Sequence, residues 1–134
     1  MRLASVEHSG FLNDIISAGK EERLGCFHNA VHILRRRDGC SIEAAVQEVN
    51  AIATRCVQRF LDAEAAFSIE LASAAVTDDD RAGGVRCAAG YRALLRGVYD
   101  WHLEVDRYSQ AGQAMSDGPD YLEHLFTSDI SSVV

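Results

Sequence analysis

Apolar residues recur with the 3.6-residue period of an α-helix along almost the whole chain, and this periodicity constrains the fold more than any other feature. The sequence contains a single proline, Pro119, and few runs of β-branched residues, so long helices meet little interruption. A chain of 134 residues is one domain by length, with enough material for one core. These features predict an all-α antiparallel helical bundle with short connections.

Residues that cap or break helices divide the chain. Gly25 marks a bend or break, and Asp38-Gly39 is a usual helix stop. Ser41 and Thr77 are natural N-caps, and Pro119 can open a short helix after a loop that begins near residue 109. The predicted helices cover about residues 3–22, 26–37, 41–74 and 77–107, followed by the short C-terminal helix and tail.

Charge and hydropathy exclude two classes of partner. The net charge of −7 argues against nucleic acid, because phosphate backbones need clustered Lys and Arg. No run of about 18 apolar residues occurs, so no membrane span is expected. The N-terminus lacks an apolar signal core, and the four widely spaced cysteines show no Cys-x-x-Cys pattern. We therefore expect a cytoplasmic protein with reduced, mostly buried thiols.

An oxygen-bearing stripe stands out in the first predicted helix. Asn13, Ser17 and Glu21 follow one another at steps of four, and Gly25 and Asn29 continue the spacing. Each step of four rises about 6 Å and drifts about 40°, so these side chains project from one stripe. An amide, a hydroxyl and a carboxylate suit Mg²⁺, which takes hard oxygen ligands. Two interpretations remain open on spacing alone: a metal site, which requires the helix to curve, and a polar face directed to water.

Other candidates are weaker. His28 and His32 have the i, i+4 spacing of a helical metal pair, but no third ligand is near in sequence, which favours ordinary packed or surface histidines. Tyr91, Tyr99 and Trp101 are predicted to be core residues rather than a cation-stabilising wall.

Two ordered motifs resemble a known family. Asn13-Asp14-x-x-Ser17-x-x-Lys20-Glu21 matches, position for position, the second metal-binding motif of class I terpene synthases, and the match continues through Asn29-Ala30-Val31. The block Gly97-x-x-x-Trp101, followed by Arg107-Tyr108, is similar to the late helix of that family, which ends in an Arg-Tyr pair. The resemblance covers about residues 10–108 and implies the C-terminal half of the terpenoid synthase fold.

The resemblance implies a site and a reaction. The implied ligands of one Mg²⁺, with Mn²⁺ as the alternative ion, are Asn13, Ser17 and Glu21, and the implied diphosphate contacts are Lys20, Arg107 and Tyr108. Metal and cations would stabilise the departing diphosphate of a prenyl diphosphate, as expected of a lyase of isoprenoid biosynthesis. Asp14 lies about 100° off the stripe and is not expected to be a ligand. Read without the family, Arg107-Tyr108 is an ordinary helix C-terminus.

The sequence departs from the family pattern in features that a complete synthase would have. The first, Asp-rich metal motif is absent, and Asp78-Asp79-Asp80 fails its spacing because positions 82 and 83 are Ala and Gly. Val98 stands where the family often has Asn. The chain begins just before the second metal motif, so residues 1–134 are predicted to be a single truncated terpene-synthase-like domain.

Two functional hypotheses follow. In the first, the chain is the C-terminal portion of a Mg-dependent terpene cyclase, contributes one metal site, and is inactive without an Asp-rich partner half. In the second, it is a non-catalytic helical remnant or interaction protein that self-associates. The expected partners are a prenyl diphosphate or diphosphate, and either further copies of this chain or a complementary synthase half. The intact oxygen-ligand set favours the first hypothesis, and the missing Asp-rich motif favours the second for the chain acting alone.

Overall fold

A computed structural model describes residues 1–105, and within them Met1–Glu104 form one compact unit. The described part contains four helices and no strand: α1 (Arg2–Arg23), α2 (Ala30–Asp38), α3 (Ile42–Ser73) and α4 (Asp78–Glu104). The all-α prediction is confirmed. Arg107, Tyr108 and the short helix expected after Pro119 lie outside the described residues.

The helix ends follow local capping chemistry. Gly25 and Gly39 take positive φ values of 71° and 62°, a conformation that glycine adopts without steric cost, and each follows the end of a helix. Ser41 Oγ accepts a hydrogen bond from Ala44 N at 3.2 Å and begins α3. Thr77 Oγ1 accepts from Asp80 N at 3.1 Å at the start of α4. These caps are the predicted ones.

The start of α2 was predicted wrongly. The helix begins at Ala30 rather than near residue 26, because Asn29 is its N-cap and accepts a hydrogen bond from Val31 N at 2.9 Å. The apolar pattern before Asn29 belongs to a loop. Asn29 therefore does not continue the stripe of α1, which ends at Arg23.

The main core lies where α1, α2 and α3 meet. Helices α1 and α3 run antiparallel, since Glu7 reaches Arg59 while Ala18 shares a core cluster with residues near the start of α3. The fully packed members of that cluster are Ala18, Val31, Leu34, Ala45 and Val49. Small alanines on both helices permit close approach of the backbones, which brings α1 and its polar stripe onto the core.

Helix α4 returns along α3 and also touches α1. Arg92 pairs with Glu64, and the Arg81 guanidinium donates to the carbonyls of Leu71 and Ala74, so α3 and α4 are antiparallel. A largely apolar groove of about 740 Å³ lies between them.

Several side chains predicted to be buried are exposed in this part of the chain. Trp101 is 48% exposed and Tyr99 is 45% exposed, so the expectation that they form core is wrong for the described residues. The cysteines are free thiols. Cys26 and Cys87 are exposed, Cys40 is half-buried and Cys56 is buried, so only part of the expected thiol burial is found. Within residues 1–105, no helix has the length and apolar character that crossing a membrane requires.

Candidate metal and diphosphate site

Helix α1 carries the whole predicted metal set together with Lys20. Ser17 is only 3% exposed and Lys20 only 9%, while Asn13 and Glu21 are half-buried. The stripe is therefore not a face directed to water. The helix presents it inward because Ala18, on the adjoining surface, packs into the core.

Ser17 has an unsatisfied oxygen. Its Oγ is buried and has no hydrogen-bond partner among the described residues. A buried hydroxyl without a protein partner costs about 1–3 kcal/mol, so a water or a ligand at this position would stabilise it. A hard oxygen between an amide and a carboxylate fits the ligand set that Mg²⁺ prefers.

Asn29 holds the Glu21 carboxylate in place. Its Nδ2 donates to Glu21 Oε2 at 2.9 Å and to the carbonyl oxygen of Asp14 at 2.8 Å. The Asn29 side chain is fully buried, and both bonds are partly buried. A ligand carboxylate that is fixed by an outer hydrogen bond is typical of metal sites.

Asp14 is engaged at the start of α2. Its Oδ2 accepts from Ala30 N at 2.9 Å, which satisfies one of the exposed donors at the helix N-terminus. Burial raises the pKa of this carboxyl above its usual value, although the hydrogen bond from Ala30 works in the opposite direction. The structure thus gives Asp14 a bracing role between α1 and α2, and the prediction that it is not a ligand stays untested.

Asn13 meets a histidine from the far end of the described chain. His102 Nε2 lies 3.4 Å from Asn13 Oδ1, and His102 Nδ1 lies 2.7 Å from the carbonyl oxygen of Val98. His102 is 7% exposed. Sequence reasoning missed this contact, because 89 residues separate the two partners and no local pattern links them.

A mostly apolar hollow of about 350 Å³ lies beside this contact, between α1 and α4. Its lining residues are Ser9, Leu94, Gly97, Val98, Trp101 and His102. One wall of the hollow is thus formed by the rings of Trp101 and His102. The polar stripe begins at Asn13, one turn beyond Ser9 along α1.

Other predicted or rejected candidates do not gather into a site. His32 is buried with its Nε2 3.0 Å from the Ala18 carbonyl oxygen, whereas His28 is exposed in the loop before α2. The two histidines therefore do not share a helix face. Asp78, Asp79 and Asp80 occupy the exposed first turn of α4. Among residues 1–105, no group of three or more His, Cys, Asp or Glu side chains is placed to hold a metal. That finding leaves the Asn-Ser-Glu set open, because it contains one such residue.

The sequence of the first two helices and of the first half of α3 matches a described family. Residues 1–59 match the family "Terpene synthase family 2, C-terminal metal binding". The resemblance to class I terpene synthases predicted from the motifs is thereby confirmed. The family description implies a divalent metal.

Individual terpene synthases are similar to most of this chain. A (2Z,6E)-hedycaryol synthase of Kitasatospora setae is 34% identical over 109 residues, which is 81% of this chain and 32% of that enzyme. A pristinol synthase of Streptomyces pristinaespiralis is 32% identical over 81% of this chain and 29% of its own length. A 7-epi-alpha-eudesmol synthase of Streptomyces viridochromogenes, described as cyclizing (2E,6E)-farnesyl diphosphate, is 31% identical over 83% of this chain and 32% of its own length.

The chain spans about a third of the length of these relatives. No solved structure gives a significant match.

Proposed function

We propose that the chain is the C-terminal, metal-binding portion of a Mg-dependent terpene synthase. Asn13, Ser17 and Glu21 hold one Mg²⁺, with Mn²⁺ as the alternative ion. The observation that carries the proposal is the buried, unpartnered Ser17 Oγ on the same stripe as Glu21, whose carboxylate Asn29 orients. The named activities of the relatives support it.

The second part of the proposal concerns the anion. Lys20 lies next to Glu21 and is largely buried, so its ammonium group would act on a diphosphate with little screening by water. Arg107 and Tyr108 are proposed as further diphosphate contacts on the resemblance alone. The substrate class is a prenyl diphosphate, the kind of compound named for one relative.

The proposed chemistry depends on positive charges placed around the leaving diphosphate. A bound divalent metal supplies positive charge to the leaving diphosphate. Lys20 neutralises part of the negative charge that develops on that leaving group when the carbon–oxygen bond breaks. The mostly apolar hollow that Trp101 lines offers a prenyl chain an apolar surface, and an aromatic ring beside that chain would stabilise a carbocation.

Metal binding tests the proposal. Titration calorimetry with Mg²⁺ and diphosphate should show that Ser17→Ala and Glu21→Ala each weaken binding by about tenfold or more, since each removes an oxygen ligand. Ser68→Ala and Glu70→Ala make the same chemical changes at exposed positions of α3 and should bind as wild type does. Wild-type protein that binds no metal, or equal binding by all five proteins, would contradict the assignment.

Catalysis by the isolated chain is expected to be absent. The resemblance implies that complete enzymes of this family hold further metals on an Asp-rich helix. Loss of each electrophilic group of this kind typically lowers the rate by a factor of about 10²–10³. Purified chain incubated with Mg²⁺ and geranyl, farnesyl or geranylgeranyl diphosphate should give no cyclic hydrocarbon by gas chromatography. Activity should appear only after addition of a chain that carries the Asp-rich motif. A cyclic product made by this chain alone and lost in Asn13→Ala would show that the partner half is unnecessary.

The second candidate is a non-catalytic, self-associating helical protein. The specific observation in its favour is the number of large apolar side chains that are exposed on α3 and α4, among them Ile69 and Leu103. It gains support if wild-type protein binds neither metal nor diphosphate.

A further inference from the structure

We propose that Cys26 and Cys40 form a thiol modification site, which a small-molecule disulfide such as oxidised glutathione converts into an intramolecular disulfide bond. Cys26 lies in the connection between α1 and α2, and Cys40 lies in the connection between α2 and α3. Both thiols are free, and both line one hollow of about 370 Å³. The inference goes beyond the proposed metal and diphosphate site, so either proposal can fail without the other.

Two contacts hold the loop of Cys26 beside the second half of α2. Arg35 Nη1 donates to Glu22 Oε1 at 2.5 Å, which ties the last turn of α1 to the last turn of α2. The Cys26 backbone N–H donates to the Glu21 carbonyl oxygen at 2.9 Å, so Cys26 stays next to the end of α1. The fold thus brings thiols from both connections of α2 to the same hollow.

Both cysteines lie at positions where the backbone can adjust. Each directly follows a glycine with a positive φ, 71° at Gly25 and 62° at Gly39. Glycine has wide backbone freedom, so these loop ends can reach the geometry of a disulfide, in which the Cα atoms are about 4.4–6.8 Å apart. Cys26 is exposed and Cys40 is half-buried. Cys26 is therefore the thiol that a dissolved reagent meets first.

The charge around the hollow suits an anionic disulfide. The guanidinium groups of Arg35 and Arg36 belong to its lining, and oxidised glutathione carries more carboxylates than ammonium groups. Opposite charges raise the local concentration of such a reagent. A metal is the other ligand that cysteines beside a histidine suggest. However, His32 Nε2 lies 3.0 Å from the Ala18 carbonyl oxygen, and residues 1–105 contain no group of three or more His, Cys, Asp or Glu side chains placed to hold a metal.

The reaction is two successive thiol–disulfide exchanges. The Cys26 thiolate attacks one sulfur of the small disulfide, which forms a mixed disulfide and releases one small thiolate. The Cys40 thiolate then attacks the Cys26 sulfur of the mixed disulfide and displaces the second small thiolate. The two released thiolates take up the protons that the cysteines lost. Two protein thiols are oxidised to one disulfide, and one molecule of reagent is reduced to two thiols.

Peptide mapping of the full chain tests the pairing. The folded protein is equilibrated with reduced and oxidised glutathione, quenched with acid, alkylated at its remaining thiols and digested with trypsin. Trypsin cuts within the arginine run 35–37, so Cys26 and Cys40 fall in separate peptides, 24–35 and 38–55. Mass spectrometry should find these two peptides joined by a disulfide.

Serine variants assign the role of each thiol. Cys40→Ser should keep glutathione on Cys26 as a mixed disulfide, because the thiol that displaces it is gone. Cys87→Ser is the matched control, since it removes the other exposed thiol of the described residues, and it should leave the link between Cys26 and Cys40 unchanged. Circular dichroism confirms that each variant is folded.

The same equilibration in urea separates a pair built by the fold from a chance encounter. We expect the equilibrium constant for forming this disulfide, measured against glutathione, to be at least about tenfold larger in the folded chain than in the unfolded chain. Equal constants in the two states would overturn the proposal. So would mixed disulfides that persist on both Cys26 and Cys40, or a preferred link of either cysteine to Cys87.

Discussion

One buried amide, Asn29, connects the start of α2 to the candidate site. Its oxygen accepts from Val31 N, and its nitrogen donates to the carbonyl of Asp14 and to the carboxylate of Glu21. All three bonds are 2.8–2.9 Å long, and the residue is fully buried. A single side chain thus caps one helix and orients a proposed ligand on another.

Replacing this amide with a carboxylate should destabilise the fold. Asn29→Asp keeps the acceptor for Val31 N but loses both donated bonds and places a negative charge against Glu21. We expect the free energy of unfolding to fall by about 2–4 kcal/mol, because buried acceptors lose their donor and a buried charge has no partner. Urea unfolding measures this change. Asn50→Asp, the same substitution at an exposed position of α3, should change stability by less than about 0.5 kcal/mol, and similar values for both variants would refute the role given to Asn29.

For single residues, the sequence predicts candidate ligands that are regularly spaced along one helix. It does not predict contacts between residues that are brought together only by packing of different elements. Asn13, Ser17 and Glu21 are found from their spacing because they share one helix. Asn29 and His102 reach the site from other elements, so no local period reveals them. The preference of Asn for N-cap positions, followed here by Ala30-Val31, is the one signal that would have placed Asn29 correctly.

Among the helices, the contact of α3 with α4 depends on one glycine of a pair. A Cβ on Gly84 would lie 3.0 Å from Leu71 Cδ2 and 3.2 Å from Phe67 Cζ, whereas a Cβ on Gly83 would meet only Arg86 Nη2 at 3.8 Å. Gly84 therefore faces side chains of α3 at close range, whereas Gly83 does not.

The two glycines should respond differently to the same change. Gly83→Ala should raise the free energy of unfolding by about 0.5–1 kcal/mol, since alanine is the better helix former. Gly84→Ala gains the same propensity but must displace Leu71, and crowding of this kind costs about 1–3 kcal/mol. We expect Gly84→Ala to be less stable than Gly83→Ala by about 1 kcal/mol or more in urea unfolding. Equal stability of the two variants would mean that α4 does not pack on α3 at this position.

Helix boundaries were predictable where a cap is encoded by neighbouring residues. Ser41 and Thr77 bond to backbone donors three residues away, so α3 and α4 start within one residue of the expected positions. The start of α2 was misplaced by four residues because apolar residues in the loop imitate a helical period. What fixes Asn29 as the cap is its contact with α1, which lies outside any local window.

For the molecule as a whole, the described residues leave much apolar surface uncovered. Ile69 on α3 is 73% exposed and Leu103 on α4 is 65% exposed. Large apolar patches usually mark surfaces that contact a partner. The all-α class was predictable from periodicity, but what covers these faces was not, because the chain spans only about a third of its relatives.

Self-association is the expected behaviour of the purified chain. Sedimentation velocity should show a homodimer or larger assembly that dissociates on dilution. Ile69→Lys and Leu103→Lys should weaken the assembly, because each places a charge in the apolar contact. Gln47→Lys adds the same charge at an exposed polar position and should leave the assembly intact. A compact monomer at high concentration would contradict this prediction.

The bond between Asn29 and Glu21 also couples ligand binding at the candidate site to the stability of the start of α2. A ligand that drew the Glu21 carboxylate away from Asn29 would loosen the amide that begins α2, whereas a ligand that left the bond intact would not. Thermodynamic reciprocity requires that a change which stiffens α2 alters ligand affinity by the same free energy. The hydrogen-exchange rates of the Ala30 and Val31 backbone amides should therefore change when a ligand binds at Glu21, although these amides lie on the neighbouring helix.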